Sequence, residues 1–116
     1  MENIENYGKS FSEKLKSNLT ELGITHERFC ILLSDKYSGN PLPETFISYL
    51  RKRKGFGRKY FLDNFSTFMD FFEQIMDQIS ANSPTVCRIW TERKDDMIND
   101  LYKIHDQAVQ YYSHHT

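Results

Sequence analysis

The sequence predicts an all-α protein, a compact bundle of about five helices, on three observations. Apolar residues recur every three or four positions through most of the chain, the period of helices that each bury one face. Glycine and proline are scarce, 5 and 3 residues, and gather where helices would end or turn. No useful length of sequence alternates apolar with polar residues as a half-buried strand does, and there is no internal repeat.

A chain of 116 residues suits one domain with a real core, so a single helical domain spanning residues 1–116 is expected. Apolar residues at 39% and aromatics at 15% exclude wholesale disorder. The N-terminal stretch has neither the basic nor the apolar region of a signal peptide, and no run approaches the roughly 18 apolar residues of a membrane span. A cytoplasmic protein with no membrane contact is expected. Cys30 and Cys87 both fall in apolar-periodic segments and read as free core thiols of a reducing compartment. With no CxxC and no closely spaced Cys/His set, no metal and no cofactor are expected; His114 and His115 form only a terminal pair.

Ser10 is placed to cap a first helix, with Glu13 completing a capping box and Phe11, Leu15, Leu19 and Leu22 forming its apolar stripe. Gly23 ends it. Thr25 caps a second helix reaching about Tyr37, whose buried face carries Phe29, Cys30 and Leu33, with Glu27 in its first turn. Ser38 to Leu42 is turn chemistry. Pro43 opens a third helix that buries Phe46, Ile47 and Leu50 and runs to about Lys54, where Gly55 stops it.

The fourth helix, a core helix within residues 58–82, carries Phe61, Phe65, Phe68, Met69, Phe72, Ile75 and Met76 in phase, with a break conceivable near Asn64 to Thr67. Ser83 and Pro84 read as the cap and first residue of a last helix within residues 83–113. Its apolar positions Trp90, Met97, Leu101, Ile104 and Ala108 approximate a heptad seam interrupted by Lys94. At roughly thirty residues it exceeds what a small domain needs, which points either to a homodimer packed through this helix or to a helix that closes over its own bundle.

Charge is distributed unevenly. Residues 1–60 hold eleven Lys and Arg against seven Asp and Glu; residues 61–116 hold four against nine. Six of the 15 cations lie between Arg51 and Tyr60, and no acid occurs from Thr45 to Leu62. Phe56 and Tyr60 are set into this run. Concentrated cations with planar side chains, at the end of a short helix, suit a polyanion better than a small-molecule pocket. Arg51, Lys52, Arg53, Lys54, Arg58 and Lys59 are the candidate phosphate contacts.

The order of these segments, LGITHERFC followed by TFISYLRKRKG, resembles the lambda-repressor-like (Xre-type) helix-turn-helix family over about Ser10 to Gly55. Cys30 stands where that family packs a small residue, and Ile47 and Leu50 where it packs aliphatics. The chain departs from the pattern in its turn, with Ser34 at the usual Gly and about seven additional residues before Pro43. The resemblance implies a helix-turn-helix-like part at residues 10–57 that binds double-stranded DNA. It implies base contacts from Glu44, Thr45, Ser48 and Tyr49 on the third helix, and a phosphate contact from His26 at the start of the second. A sequence-specific transcriptional regulator of small phage or bacterial repressor type follows as the functional expectation.

No enzyme is expected, because no nucleophile set, convergent acid and base pair, or Gly-rich phosphate loop is present. Asp70 with Glu73, and Asp95 with Asp96, read as solvated carboxylates, and His105 as a packed or surface histidine. The other reading is a helical inhibitor or adaptor without DNA-binding activity. Its acidic second half, through Glu92, Asp95, Asp96, Asp100 and Asp106, would dock on a basic protein surface.

Overall fold

In a computed structural model the described residues are 7–37, 39, 42–52 and 58–114, with the side chains of 58, 59 and 114 outside the description. Five helices follow one another: α1 (Tyr7–Leu22), α2 (His26–Tyr37), α3 (Glu44–Lys52), α4 (Arg58–Ala81) and α5 (Pro84–His114). No strand occurs among the described residues, so the all-α bundle is the observed fold.

Local chemistry sets most of the boundaries. Gly23 adopts φ 81° after α1; its N–H bonds the Thr20 carbonyl at 3.0 Å, and the Ile24 N–H bonds the Leu19 carbonyl at 2.9 Å. That pair of bonds is a Schellman stop, closed by the buried side chains of Leu19 and Ile24. Thr25 Oγ1 accepts from the Arg28 N–H at 3.0 Å and Ser83 Oγ from the Val86 N–H at 3.3 Å, so both expected caps form. Ser10 is not a cap: α1 already runs from Tyr7, whose ring meets Tyr111 and Tyr112 at 6.0 and 5.9 Å. That contact with the far end of α5 outweighs the local capping signal. No break interrupts α4, in which Asn64 returns its side-chain N–H to the Tyr60 carbonyl at 2.9 Å. The expected continuation of α3 to Lys54 and its stop at Gly55 lie outside the described residues.

The core is built on one edge of α4. Phe61, Phe65, Phe68 and Phe72 are fully buried, and Phe68 lies at their centre. Its ring is 5.2 Å from Phe11 of α1, 6.2 Å from Phe29 of α2 and 6.1 Å from Phe46 of α3. Three helices therefore take their seats from one side chain. Phe72 extends the cluster to Trp90 of α5 at 5.6 Å.

The α5 helix closes the bundle, running antiparallel to both α1 and α4. Lys14 pairs with Asp100 and Glu21 with Arg93 along one side; Glu73 pairs with Lys94, and Phe65 meets Tyr102, along the other. At 1.5 Å per residue its 31 residues extend about 46 Å, matching the 45 Å long axis of the molecule. This corrects the expected dimer seam. Trp90, Met97, Leu101 and Ala108 are at most 4% exposed, and Ile104 packs against the same core. The stripe fills the groove between α1 and α4, so a second copy does not find it open. Lys94, which interrupts the heptad, lies beside Trp90 with its ammonium 5.9 Å from the ring centre and reaches Glu73. Cys87, expected in the core, is exposed, because it lies off the face of α5 that carries Val86 and Trp90.

Truncating the hub tests this account of the core. Phe68→Ala should lower unfolding free energy by about 3–5 kcal/mol in urea titration, since it empties a site touched by three helices. Phe71→Ala, at a half-buried ring stacked on Tyr37, should cost clearly less.

Candidate nucleic-acid interface

Three buried residues orient α3. Phe46, Ile47 and Leu50 turn inward at 0%, 4% and 0% exposure, so the other positions of this nine-residue helix form a single outward arc. That arc holds Glu44, Thr45, Tyr49, Arg51 and Lys52 in the open, with Ser48 half-buried. The four residues expected to touch bases are thus brought together on one side of α3. Glu44 and Lys52 stand at opposite ends, each where the helix dipole favours its charge, and form no ion pair among the described residues.

Contacts with α4 restrain part of the arc. Thr45 Oγ1 and Tyr60 Oη share a hydrogen bond, and the Tyr49 ring stands edge-on to Tyr60 at 6.4 Å. Tyr60 was legible as an aromatic within the basic run, but its tie to Thr45 was not.

Between α2 and α3, two polar contacts lie side by side and form a clasp. His26 is only 8% exposed, and its Nε2 is 2.8 Å from the Leu50 carbonyl oxygen. A carbonyl only accepts, so the ring donates through Nε2. This corrects the expectation that His26 meets phosphate: the ring is buried and its Nε2 is engaged inside the molecule. Next to it, Arg51 grips the Glu27 carboxylate in a two-point pair, Nε–H to Oε1 at 3.2 Å with Nη2 to Oε2 alongside. The Arg51 hydrogen bond holds the Glu27 carboxyl below the ordinary carboxylate range, and Glu27 in turn raises Arg51. Arg51 is therefore not the unencumbered cation that the basic run suggested.

The clasp joins the first turn of α2 to the last turn of α3. At the other end the turn is compact: Gly39 has φ 85°, its N–H bonds the Leu42 carbonyl at 2.7 Å, and the Leu42 N–H bonds the Tyr37 carbonyl at 3.3 Å. The two helices consequently run in broadly opposite directions, with a cleft of about 400 Å³ between them lined by Glu27, Cys30, Ser34, Glu44, Ile47 and Arg51, among others. Burial pushes the Cys30 thiol up to about 12, which makes it inert at neutral pH.

Of the remaining candidate phosphate contacts, Lys52 is exposed. Arg53 and Lys54 lie outside the described residues, as do the side chains of Arg58 and Lys59 in the first turn of α4. Of the acids of α5, Glu92, Asp95, Asp96 and Asp106 are exposed; Asp96 pairs with Arg93 at 2.8 Å, Asp106 lies 3.4 Å from His105 Nδ1, and the half-buried Asp100 pairs with Lys14 at 3.6 Å. His105 is packed, stacked on Phe65 at 4.2 Å. Among the described residues no group of three or more potential metal ligands gathers, and no helix is long and apolar enough to cross a membrane. The chain matches no protein-family model, no curated protein and no solved structure.

Two measurements test this local chemistry. His26→Ala strands the Leu50 carbonyl and should cost about 1–3 kcal/mol in urea unfolding. The Cys30 thiol titrates higher in the folded chain than the ordinary 9.0, so its contribution to stability is intact below about 9 and lost as pH rises towards about 12. Accordingly a thiol reagent at mildly alkaline pH should modify Cys87 alone in the folded protein and both cysteines after denaturation.

Proposed function

We propose that this chain is a sequence-specific DNA-binding protein of the small transcriptional-regulator type, with α3 as the reading helix and the basic run as its phosphate-binding corner. The observation that carries the reading is the outward arc of α3. Thr45, Ser48 and Tyr49 lie together on it, Lys52 occupies its last turn, and the chain continues directly into the other cations of the run. Phosphate neutralisation supplies sequence-independent affinity, while side chains on an exposed helix reach base edges. Glu44 is able to accept from cytosine N4, and the Thr45 methyl to meet a thymine methyl. The phosphate set is Lys52, Arg53, Lys54, Arg58 and Lys59, without His26 and with Arg51 held by Glu27.

A second reading is a helical inhibitor or adaptor that binds a basic protein surface. What favours it is the exposed carboxylates of Glu92, Asp95 and Asp106 along α5. The two readings diverge under charge reversal. Loss of function on reversing those acids, with the basic run intact, would select the second.

Anisotropy titration of duplex DNA at two salt concentrations tests the first. With about four phosphate contacts, log affinity should fall with log salt at a slope near −3.6. Changing Lys52, Arg53 and Lys54 together to Gln should abolish most of the binding on every sequence. Tyr49→Ala or Thr45→Ala should instead erode discrimination between sequences by about 1–3 kcal/mol per lost base contact. Absence of binding at low salt would overturn the proposal.

A further inference from the structure

Arg51 is the first cation of the basic run, and its guanidinium is already occupied. Glu27 meets it through two adjacent contacts, the arrangement by which an arginine also holds a phosphate. Both side chains are open to solvent, at 47% exposure for Arg51 and 58% for Glu27. A polyanion arriving at the end of α3 therefore encounters a carboxylate seated where its phosphate would bind.

We propose that Glu27 is an internal competitor for the DNA phosphate: it occupies Arg51 in the free protein, so that binding at this corner exchanges carboxylate for phosphate, and Glu27 thereby sets the affinity. The proposal rests on the DNA-binding reading above. Three physical points support it. While paired, Arg51 is neutralised from within, so its contact with phosphate is made at the cost of the contact with Glu27. An exposed ion pair is weakly held and screened by salt, so the exchange is accessible. The adjacent bond between His26 and Leu50 keeps α2 and α3 together when the pair opens, so exchange does not require the helices to separate.

Glu27 also lies in the first turn of α2, where its charge suits the helix dipole. Neutralising it should therefore reduce stability slightly while increasing affinity. These opposite signs separate the competitor from a residue that merely supports the fold.

The test is anisotropy titration of random duplex DNA at two salt concentrations with four proteins: wild type, Glu27→Gln, Arg51→Gln and the double variant, each shown folded by its urea transition. Glu27→Gln should bind about 5–10-fold more tightly at ~0.1 M salt, because Arg51 then meets phosphate without first leaving a carboxylate. Arg51→Gln alone should change affinity less than about 2-fold, and the double variant should return to that level, because the gain is delivered through Arg51. If wild type binds and Glu27→Gln binds equally or more weakly, Glu27 is not a competitor and the inference falls alone. A gain that persists in the double variant also overturns it, since simple repulsion by Glu27 then accounts for the effect. Failure of all four proteins to bind removes the DNA-binding reading itself, and the inference with it.

Discussion

The position of every helix that could meet a partner depends on the aromatic edge of α4. Phe68 sits at 0% exposure in contact distance of Phe11, Phe29 and Phe46, one ring from each of the first three helices. Edge-on and tilted ring contacts are directional as well as apolar, so they fix orientation along with depth. This matters most for α3. Nine residues are too few to hold a helix in isolation, and α3 persists because Phe46 packs on that edge and Ile47 and Leu50 are buried with it. Which residues it shows to solvent is thus decided from beneath, by the rings that anchor it.

A second constraint acts at the rim. Six residues separate α2 from α3, and a connection of that length does not by itself settle how two helices lie together. The setting comes from both ends at once: a compact turn around Gly39 at one, and the His26 and Glu27 clasp onto Leu50 and Arg51 at the other. The two clasp contacts differ in physical kind. The histidine bond is buried, so losing it leaves a stranded carbonyl. The ion pair is exposed and exchangeable. Rigidity and responsiveness thus sit on neighbouring residues of one helical turn.

Much of this was legible in the sequence because helices announce themselves locally. The 3.6-residue apolar period, Gly23, Pro43 and the caps at Thr25 and Ser83 located most of the described helix ends to within a residue or two, and the Phe and Met stripe identified α4 as the core helix. Misreadings occurred where distant residues overrode local signals. Tyr7 is helical because it packs on Tyr111 and Tyr112, at the opposite end of the chain. The heptad of α5 carried no information about which surface would cover it, and α1 with α4 did so. At the candidate site the outward arc of α3 followed directly from its period. The engagement of His26 and Arg51 did not, since a contact spanning 24 residues becomes visible only once the relative direction of α2 and α3 is known.

Net charge is a poor guide to what this surface attracts. The chain carries −1 in total, yet cations outnumber acids in residues 1–60 and acids outnumber cations in residues 61–116. Phe61, near the start of α4, lies 6.2 Å from His105 on α5, so this part of α4 adjoins the later part of α5, where Asp106 is exposed. Asp95 and Glu92 stand ten and thirteen residues earlier, about 15–20 Å away along the helix axis. That exceeds the screening length of roughly 8–10 Å at moderate salt, so these two acids do little to the field around Phe61 at the start of α4. Lys14 and Arg93 are meanwhile neutralised within the seam between α1 and α5. At close range the balance is different. Glu27 is in direct contact with Arg51, and a carboxylate touching a cation weighs more at that spot than one beyond the screening length. Contact geometry, more than total charge, decides how strongly a polyanion would be held here.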